Sequence, residues 1–177
     1  MDLLFVAHCH PWPLDNGTVQ RVYHLAEGLA RRHRVTLVTL REGGAEDAGA
    51  AFPLRDTCAR VIEVSIGARF RDAHQQLGLW APAPARVQAL VTSPLPATVR
   101  QGAAPELLQI LRALRRESHF DAVWVERSLV AEVVRRSGFE RIVVDVDEVE
   151  SRSLRRLLAR YPWYPSKPLH YAEWAKL

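Results

Sequence analysis

The feature that most constrains this chain is the apolar run Leu3–Ala7, which leads into a loop and then into an amphipathic helix. Short, uninterrupted apolar runs are typical of strands that are buried on both faces of a parallel sheet. Apolar residues then recur at helical spacing from Val19 to Leu29, and the β-branched run Val35–Leu40 follows. This order predicts a β–α–β unit with parallel strands.

Strands and helices continue to alternate through most of the chain. Prolines interrupt the stretch 67–105, where we expect only short helices and loops. The alternation predicts an α/β fold, a Rossmann-like doubly wound parallel sheet that forms one domain over residues 1–160. The other predicted elements are a short helix over Phe52–Ala59, a strand over Arg60–Ser65, a helix from Pro105, a strand over Asp121–Glu126, a helix over Ser128–Ser137, a buried strand over Arg141–Asp145 and a helix over Glu150–Arg160.

Composition excludes several classes of protein. The 177 residues include two cysteines, too few for a disulfide framework, and no apolar stretch of the length that a membrane span needs. The N-terminus lacks the basic segment and the long apolar run of a signal peptide, so a cytoplasmic location is expected. The net charge of +4 comes from arginine, because only Lys167 and Lys176 are lysines. This moderate basicity suits an anionic partner but does not identify one.

The end of the chain is a separate feature. Prolines interrupt residues 161–165, and Leu169–Leu177 then begins another amphipathic helix. That helix reaches the last residue with no capping residue, glycine or polar tail. Such an ending is typical of a truncated chain, and we therefore expect that the full-length protein continues beyond this helix.

Three candidate site segments follow predicted strands. In an open α/β sheet, ligands bind at the carboxyl ends of the strands, beside the point where the strand order reverses. The first segment, His8–Gly17, has a glycine before a helix, which lets backbone N–H groups approach an anion or serves simply as a turn. His8, Cys9 and His10 lack the further ligands of a zinc site, and no third group activates Cys9 as a nucleophile. No metal is therefore expected.

The second and third segments carry carboxylates. Trp124 and Glu126 share one face of their predicted strand, and a carboxylate at its carboxyl end serves as a base or binds a hydroxyl. The alternative is a solvated glutamate, or one paired with Arg127. Asp147 and Glu150 belong to the segment Asp145–Ser151, whose four acids would repel one another unless cations or hydroxyl-rich ligands balance them. These acids also suit a helix N-terminus, and their spacing is not that of an EF-hand.

Two arginine-rich helices are the remaining feature. Solvated helix faces are the ordinary explanation, and contact with anionic lipid headgroups is the alternative. Nucleic-acid binding is not expected, because no recognised module or aromatic stacking platform accompanies the charge. The two clusters are Arg112, Arg115 and Arg116, and Arg152, Arg155, Arg156 and Arg160.

Taken in order, these segments resemble the N-terminal half of family-four glycosyltransferases, which have the GT-B fold. The opening FVAHCHPWPLDNGTVQRVYHLAEGLARRHRVTLVTL is similar to the family's first strand, Pro-x-Pro loop, glycine turn, arginine-bearing helix and second strand. FDAVWVERSLVAEVV is similar to its strand that ends in glutamate, and RIVVDVDEVESRSLRRLL to its Asp…Glu-Ser segment. The similarity covers nearly the whole chain and is greatest to the subgroup of bacterial exopolysaccharide and protein-sorting loci.

The resemblance implies an enzyme with two Rossmann-like domains, of which this chain is the acceptor-side N-terminal one. The nucleotide-sugar-binding C-terminal domain of the family has no counterpart here. The implied donor is a UDP- or GDP-sugar, the acceptor is a polysaccharide, a lipid-linked molecule or a small molecule, and no cofactor is needed. Leaving-group stabilisation is then electrostatic.

The resemblance also implies site residues. Glu126 is the implied catalytic residue. Many family members have a second glycine at the position of Thr18, and histidine at the positions of Trp124 and Asp147. The implied donor-diphosphate residues are Asn16, Gly17, Thr18 and Arg21. The implied acceptor-side residues are His8, His10, Trp124, Asp147 and Glu150.

The expected function is therefore sugar transfer from a nucleotide sugar, with this domain alone inactive or nearly so. The alternatives are a non-catalytic binding or membrane-associated module, a half-enzyme that needs a separate partner chain, and a relic of a truncated gene. Peripheral contact with the inner face of an anionic membrane is a further expectation.

Overall fold

Parallel strands form one five-stranded sheet, in the order β3-β2-β1-β4-β5, in the computed structural model of this protein. The structure describes residues 1–42, 52–66, 88, 91–96, 99, 104–146, 149–164 and 167–177. The strands are β1 (Asp2–Ala7), β2 (Arg34–Glu42), β3 (Arg60–Ile66), β4 (Ala122–Glu126) and β5 (Ile142–Asp145). The helices with bounds are α1 (Gly17–Ala30), α2 (Leu54–Thr57), α3 (Pro105–Glu117), α4 (Ser128–Arg136), α5 (Glu150–Arg160) and α6 (Lys167–Trp174).

The direction of strand addition reverses at β1, which lies in the centre of the sheet. From β1 the chain moves outward through β2 to β3, and it then returns to place β4 on the other side of β1. Phe5 is the register partner of Leu37 in β2 and of Trp124 in β4. The predicted parallel α/β sheet is confirmed, and the carboxyl ends of β1 and β4 lie side by side at the switch point.

Alternate residues of β1 enter two separate cores. Leu4 and Val6 pack among the apolar side chains of α3 and α4 on one face of the sheet. Leu3 and Phe5 pack on the other face with apolar residues of α1 and α2. Because successive strand residues point to opposite faces, burial on both faces requires the unbroken apolar run seen in the sequence.

The prediction of a buried strand over Arg141–Asp145 is wrong in its burial. A strand forms over Ile142–Asp145, but Val143 is 47% exposed and Val144 is 38% exposed. The physical reason is position, since β5 is the edge of the sheet and α5 packs mainly on α6 instead of on this strand.

The other predicted elements agree with the structure apart from their ends. Helix α3 begins at Pro105 as expected, whereas α2 is shorter than the predicted Phe52–Ala59. The last helix ends at Trp174 and is followed by a turn. Most of the weakly patterned stretch 67–105 lies outside the described residues. Within the described ranges, no helix combines the length and the apolar character needed to cross a bilayer.

Candidate functional site

Glu126, the last residue of β4, is fully buried at the switch point. Its Oε2 atom pairs with Nδ1 of His8, the first residue after β1. Its Oε1 atom lies 3.7 Å from Nη1 of Arg21 and 3.9 Å from Nε of Arg127. A buried carboxylate is costly unless it is paired, so these basic groups are what permits Glu126 to lie inside the protein. Of the alternatives left open by the sequence, a solvated glutamate is therefore wrong, whereas its pairing with Arg127 is observed.

Arg21 connects this carboxylate to the edge strand. Its Nη2 atom donates a hydrogen bond of 2.6 Å to Oδ2 of Asp145, the last residue of β5. The backbone N–H of Arg127 donates to the carbonyl of Asp145 at 3.0 Å. Helix α1 and the carboxyl ends of β1, β4 and β5 thus meet in one network of charged side chains.

The backbone of Arg127 is in an unusual conformation. Its φ of 68° and ψ of 148° lie in a region that L residues rarely adopt. Such a conformation costs on the order of 1–3 kcal/mol and persists where the surrounding structure holds it. Here it turns the chain from β4 into α4 and keeps the guanidinium group close to Glu126.

The amino end of α1 forms the second side of the candidate site. Asn16 caps the helix, because its side-chain oxygen accepts a hydrogen bond of 3.0 Å from the backbone N–H of Val19. A Cβ atom added at Gly17 would meet nothing within 4 Å, so the space in front of this turn is open. Thr18 is half-buried, and the first turn carries no acidic residue. Residues of the first turn therefore do not oppose an anion, but the carboxylate of Asp15, directly before the cap, accepts a hydrogen bond of 2.9 Å from Asn16.

His10 belongs to a different cluster from His8. Its Nε2 atom lies 3.9 Å from Glu63 in β3, its Nδ1 atom donates to the carbonyl of Trp12 at 2.8 Å, and its ring packs on Phe52. Glu63 also accepts hydrogen bonds from Arg41, at 3.0 Å, and from Arg55. The two histidines implied for the acceptor side therefore diverge, one towards β4 and one towards β3.

Of the three other residues implied for the acceptor side, only Trp124 has a described side chain. Trp124 is half-buried on the same sheet face as Glu126, as predicted from their spacing. Glu150 is the first residue of α5, and its side chain lies outside the described part of the structure. Asp147 also lies outside the described residues.

Cys9 lies beside the network but is poorly suited to act as a nucleophile. Burial, together with the charge of Glu126, raises the pKa of its thiol to about 12 despite the opposing effect of Arg127. A thiol with such a pKa is protonated at neutral pH, and the thiol form is a weak nucleophile. Among the residues with described placement, no three His, Cys, Asp or Glu side chains are arranged to hold a metal ion.

Sequence reasoning named Arg127 only as an alternative partner of Glu126, and it did not assign Asp145 to the candidate site, although Asp145 begins the third acidic segment. Asp145 ends β5 just as Glu126 ends β4, and the two are register partners. Its position at a strand carboxyl end was therefore a signal that could have marked it. The approach of Arg127 to Glu126 depends on its backbone conformation, for which the sequence carries no signal.

Comparison with known proteins adds little to this geometry. No family model matches the sequence, and no curated protein matches it. Two crystal structures of the C-terminal domain of a hydrogenase from Pyrococcus furiosus are similar in fold, each with a TM-score of 0.43. One is 15% identical and the match covers 82% of this chain and 91% of that chain, and the other is 14% identical with 81% and 90% covered. At these values the likeness does not bear on function.

Replacement of Glu63 by glutamine tests the cluster that holds His10. Burial raises the pKa of Glu63, but the hydrogen bond from Arg41 and the charges of Arg55 and His10 outweigh burial, so the pKa is lowered overall. The stability due to a carboxylate with a lowered folded-state pKa is present above the unfolded-state pKa, and it is lost as pH falls through the folded-state pKa. Near neutral pH we expect Glu63→Gln to cost about 1–2 kcal/mol.

Urea unfolding of the wild type and of Glu63→Gln, from neutral to acidic pH, measures the stability that the Glu63 carboxylate contributes. The difference in unfolding free energy should shrink as the pH approaches the folded-state pKa, because the wild-type carboxyl then becomes neutral like the amide. A difference that stays constant over the whole range would contradict the ion-paired cluster.

Proposed function

We propose that this chain is the acceptor-side domain of a GT-B glycosyltransferase and binds a hydroxyl-bearing acceptor at the switch point. A pair of buried polar atoms on β4 carries the proposal. Within the described residues, Oε1 of Glu126 accepts no hydrogen bond and Nε1 of Trp124 donates none. A sugar hydroxyl both accepts and donates, so hydroxyl-rich ligands match a site that offers one acceptor and one donor.

The charge balance of the network favours a neutral acceptor group. Two carboxylates, Glu126 and Asp145, face the guanidinium groups of Arg21 and Arg127 and the ring of His8. Arg21 and Arg127 are the most exposed of these side chains, at 39% and 26%, and the proposal requires that they move aside to give the acceptor access to the buried Oε1. Glu126 then accepts the hydrogen bond of the acceptor hydroxyl, and His8 orients the carboxylate from its other oxygen.

The amino end of α1 supports a role towards the donor. The Asn16 cap leaves open space at Gly17, where backbone N–H groups and the helix dipole can approach a diphosphate. Stabilisation of a leaving diphosphate by such groups requires no metal. A second domain supplies the remaining nucleotide contacts in this proposal, so the present domain alone has little or no transferase activity.

Binding of saccharides to Glu126→Gln and Glu63→Gln variants tests the proposal. The two glutamates are matched, because each lies near the carboxyl end of the sheet and contacts a histidine and two arginines. Ligand-observed NMR with a panel of neutral and lipid-linked saccharides should detect binding to wild type and to Glu63→Gln. We expect Glu126→Gln to weaken it about tenfold, since the saccharide hydroxyl then donates to a neutral amide oxygen instead of a charged carboxylate.

Absence of saccharide binding by the wild type would contradict the proposal. Equal weakening by the two variants would also contradict it, because the effect would then not be specific to the switch point. Fluorescence of Trp124 provides an independent readout, since a ligand beside its indole changes the emission of wild type but not that of a Trp124→Phe variant.

We also propose contact with an anionic membrane surface, on the basis of an open groove of about 500 Å³ at the end of the sheet where β4 and β5 begin. None of its arginines forms an ion pair with a described residue, and cations there also complement the helix carboxyl ends. Gly138 supports the groove, because Arg115 packs where a Cβ atom would stand. The arginines that line it are Arg112, Arg115, Arg116 and Arg136.

Co-sedimentation with vesicles of phosphatidylglycerol and phosphatidylcholine tests this contact. Replacement of Arg115 and Arg116 by glutamine should reduce binding roughly thirtyfold, because each basic residue near an anionic surface contributes about 1 kcal/mol. Arg31→Gln with Arg32→Gln is the charge-matched control, since both residues lie at the end of α1, which packs on the other face of the sheet. Binding that resists high salt, or that falls equally in both variants, would contradict a specific surface.

A further inference from the structure

The arginine groove is the open cavity of about 500 Å³ that Arg112, Arg115, Arg116 and Arg136 line. Its guanidinium groups come from the carboxyl-terminal half of α3 and the last turn of α4. The carboxyl ends of two helices contribute roughly half a negative charge each, so together they offset about one of these positive charges. Most of the positive charge is therefore left for a ligand.

The carboxylates nearest in sequence to these arginines have other partners. Glu132 accepts two hydrogen bonds of 2.8 Å from Arg135. Glu117, the last residue of α3, lies 3.7 Å from Arg60 of β3. Arg135 is thus paired, whereas Arg136 beside it forms no ion pair with any residue that the structure describes. The groove has no carboxylate among the described residues that line it.

Arg115 lies against the turn that follows α4. A Cβ atom added at Gly138 would be 2.4 Å from Nη1 and 3.1 Å from Cζ of Arg115, so the guanidinium group occupies space that only a glycine leaves. The φ of 92° at Gly138 also favours glycine. A planar guanidinium group donates two parallel hydrogen bonds to a phosphate, which the ammonium group of a lysine cannot reproduce. This arrangement points to phosphate as the anion.

A second cavity, of about 370 Å³, adjoins the groove and shares Arg115 and Gly138 with it. Its lining includes the ring of Phe139 and the carboxylates of Asp121 and Glu140. Carboxylates repel a phosphate, so the phosphate belongs in the arginine groove and not in the second cavity. The second cavity has room for an uncharged group that is attached to the phosphate.

We propose that the arginine groove selects phosphate monoesters over phosphodiesters. The inference rests on the membrane contact proposed above, and it names the headgroup that this contact recognises, a lipid phosphate monoester such as phosphatidic acid. A monoester carries about two negative charges and three free acceptor oxygens, whereas a diester has a smaller charge and fewer free oxygens. The monoester can therefore bind more than one guanidinium group at once, and its substituent extends into the second cavity.

Vesicles of matched surface charge test this selectivity. Co-sedimentation compares phosphatidic acid with phosphatidylglycerol, each diluted in phosphatidylcholine to the same zeta potential. The measurement is made at about pH 8, where a monoester has lost its second proton, whose pKa is about 6. We expect wild type to bind the phosphatidic acid vesicles about tenfold more tightly, the effect of one further hydrogen bond between charged groups.

Two arginine-to-lysine variants separate the guanidinium shape from the charge. Arg115→Lys should bring the ratio of the two affinities close to one, because lysine keeps the charge but loses the paired donors. Arg135→Lys is the matched control and should keep the wild-type ratio, since Arg135 is bound to Glu132 outside the groove. Both substitutions are at exposed positions. A ratio that Arg115→Lys leaves unchanged would overturn the proposal.

Soluble methyl phosphate and dimethyl phosphate identify the source of the ligand by NMR titration. Selective binding of methyl phosphate as tight as that of the vesicles supports a soluble monoester, and much weaker binding supports the lipid. Equal binding of the two kinds of vesicle would overturn the selectivity and leave the membrane contact standing. Binding of methyl phosphate without vesicle binding would contradict the membrane contact alone. Absence of binding to the vesicles and to methyl phosphate would overturn both.

Discussion

A single buried carboxylate, that of Glu126, determines how the carboxyl end of this sheet is organised. A charge without contact with solvent needs compensation, and each compensating group comes from a different segment of the chain. His8 belongs to the loop after β1, Arg21 to α1 and Arg127 to the turn into α4. The requirement to balance Glu126 thus holds the loop, both helices and the strand ends together.

The charge balance of the same network is the reason for which we propose a hydroxyl-bearing acceptor rather than an isolated anion. Its positive and negative charges are nearly balanced inside the protein, and Arg21 is hydrogen-bonded to Asp145 at 2.6 Å. The amino end of α1 is a separate feature, capped by Asn16 and open at Gly17. The proposed sugar transfer assigns the acceptor hydroxyl to the first feature and the donor diphosphate to the second.

The hydrophobic pattern and the prolines predicted most of the helices and strands, because these features depend on residues that are close together in the sequence. The apolar run of β1 follows from burial on both faces, and Pro105 at the first position of α3 follows from its missing N–H group. The ion pair of Arg21 with Asp145 spans 124 residues, so it depends on the strand order. The exposure of Val143 likewise depends on what packs beside β5, and no local pattern contains that information.

The most direct test of the central claim is the coupling free energy between His8 and Glu126. Unfolding free energies of wild type, His8→Ala, Glu126→Gln and the double variant give this quantity from one thermodynamic cycle. We expect a coupling of about 1–3 kcal/mol, because His8→Ala leaves the buried carboxylate without its partner and Glu126→Gln removes the charge that strengthens the contact. Additivity within about 0.5 kcal/mol would contradict the claim that the buried carboxylate organises this end of the sheet.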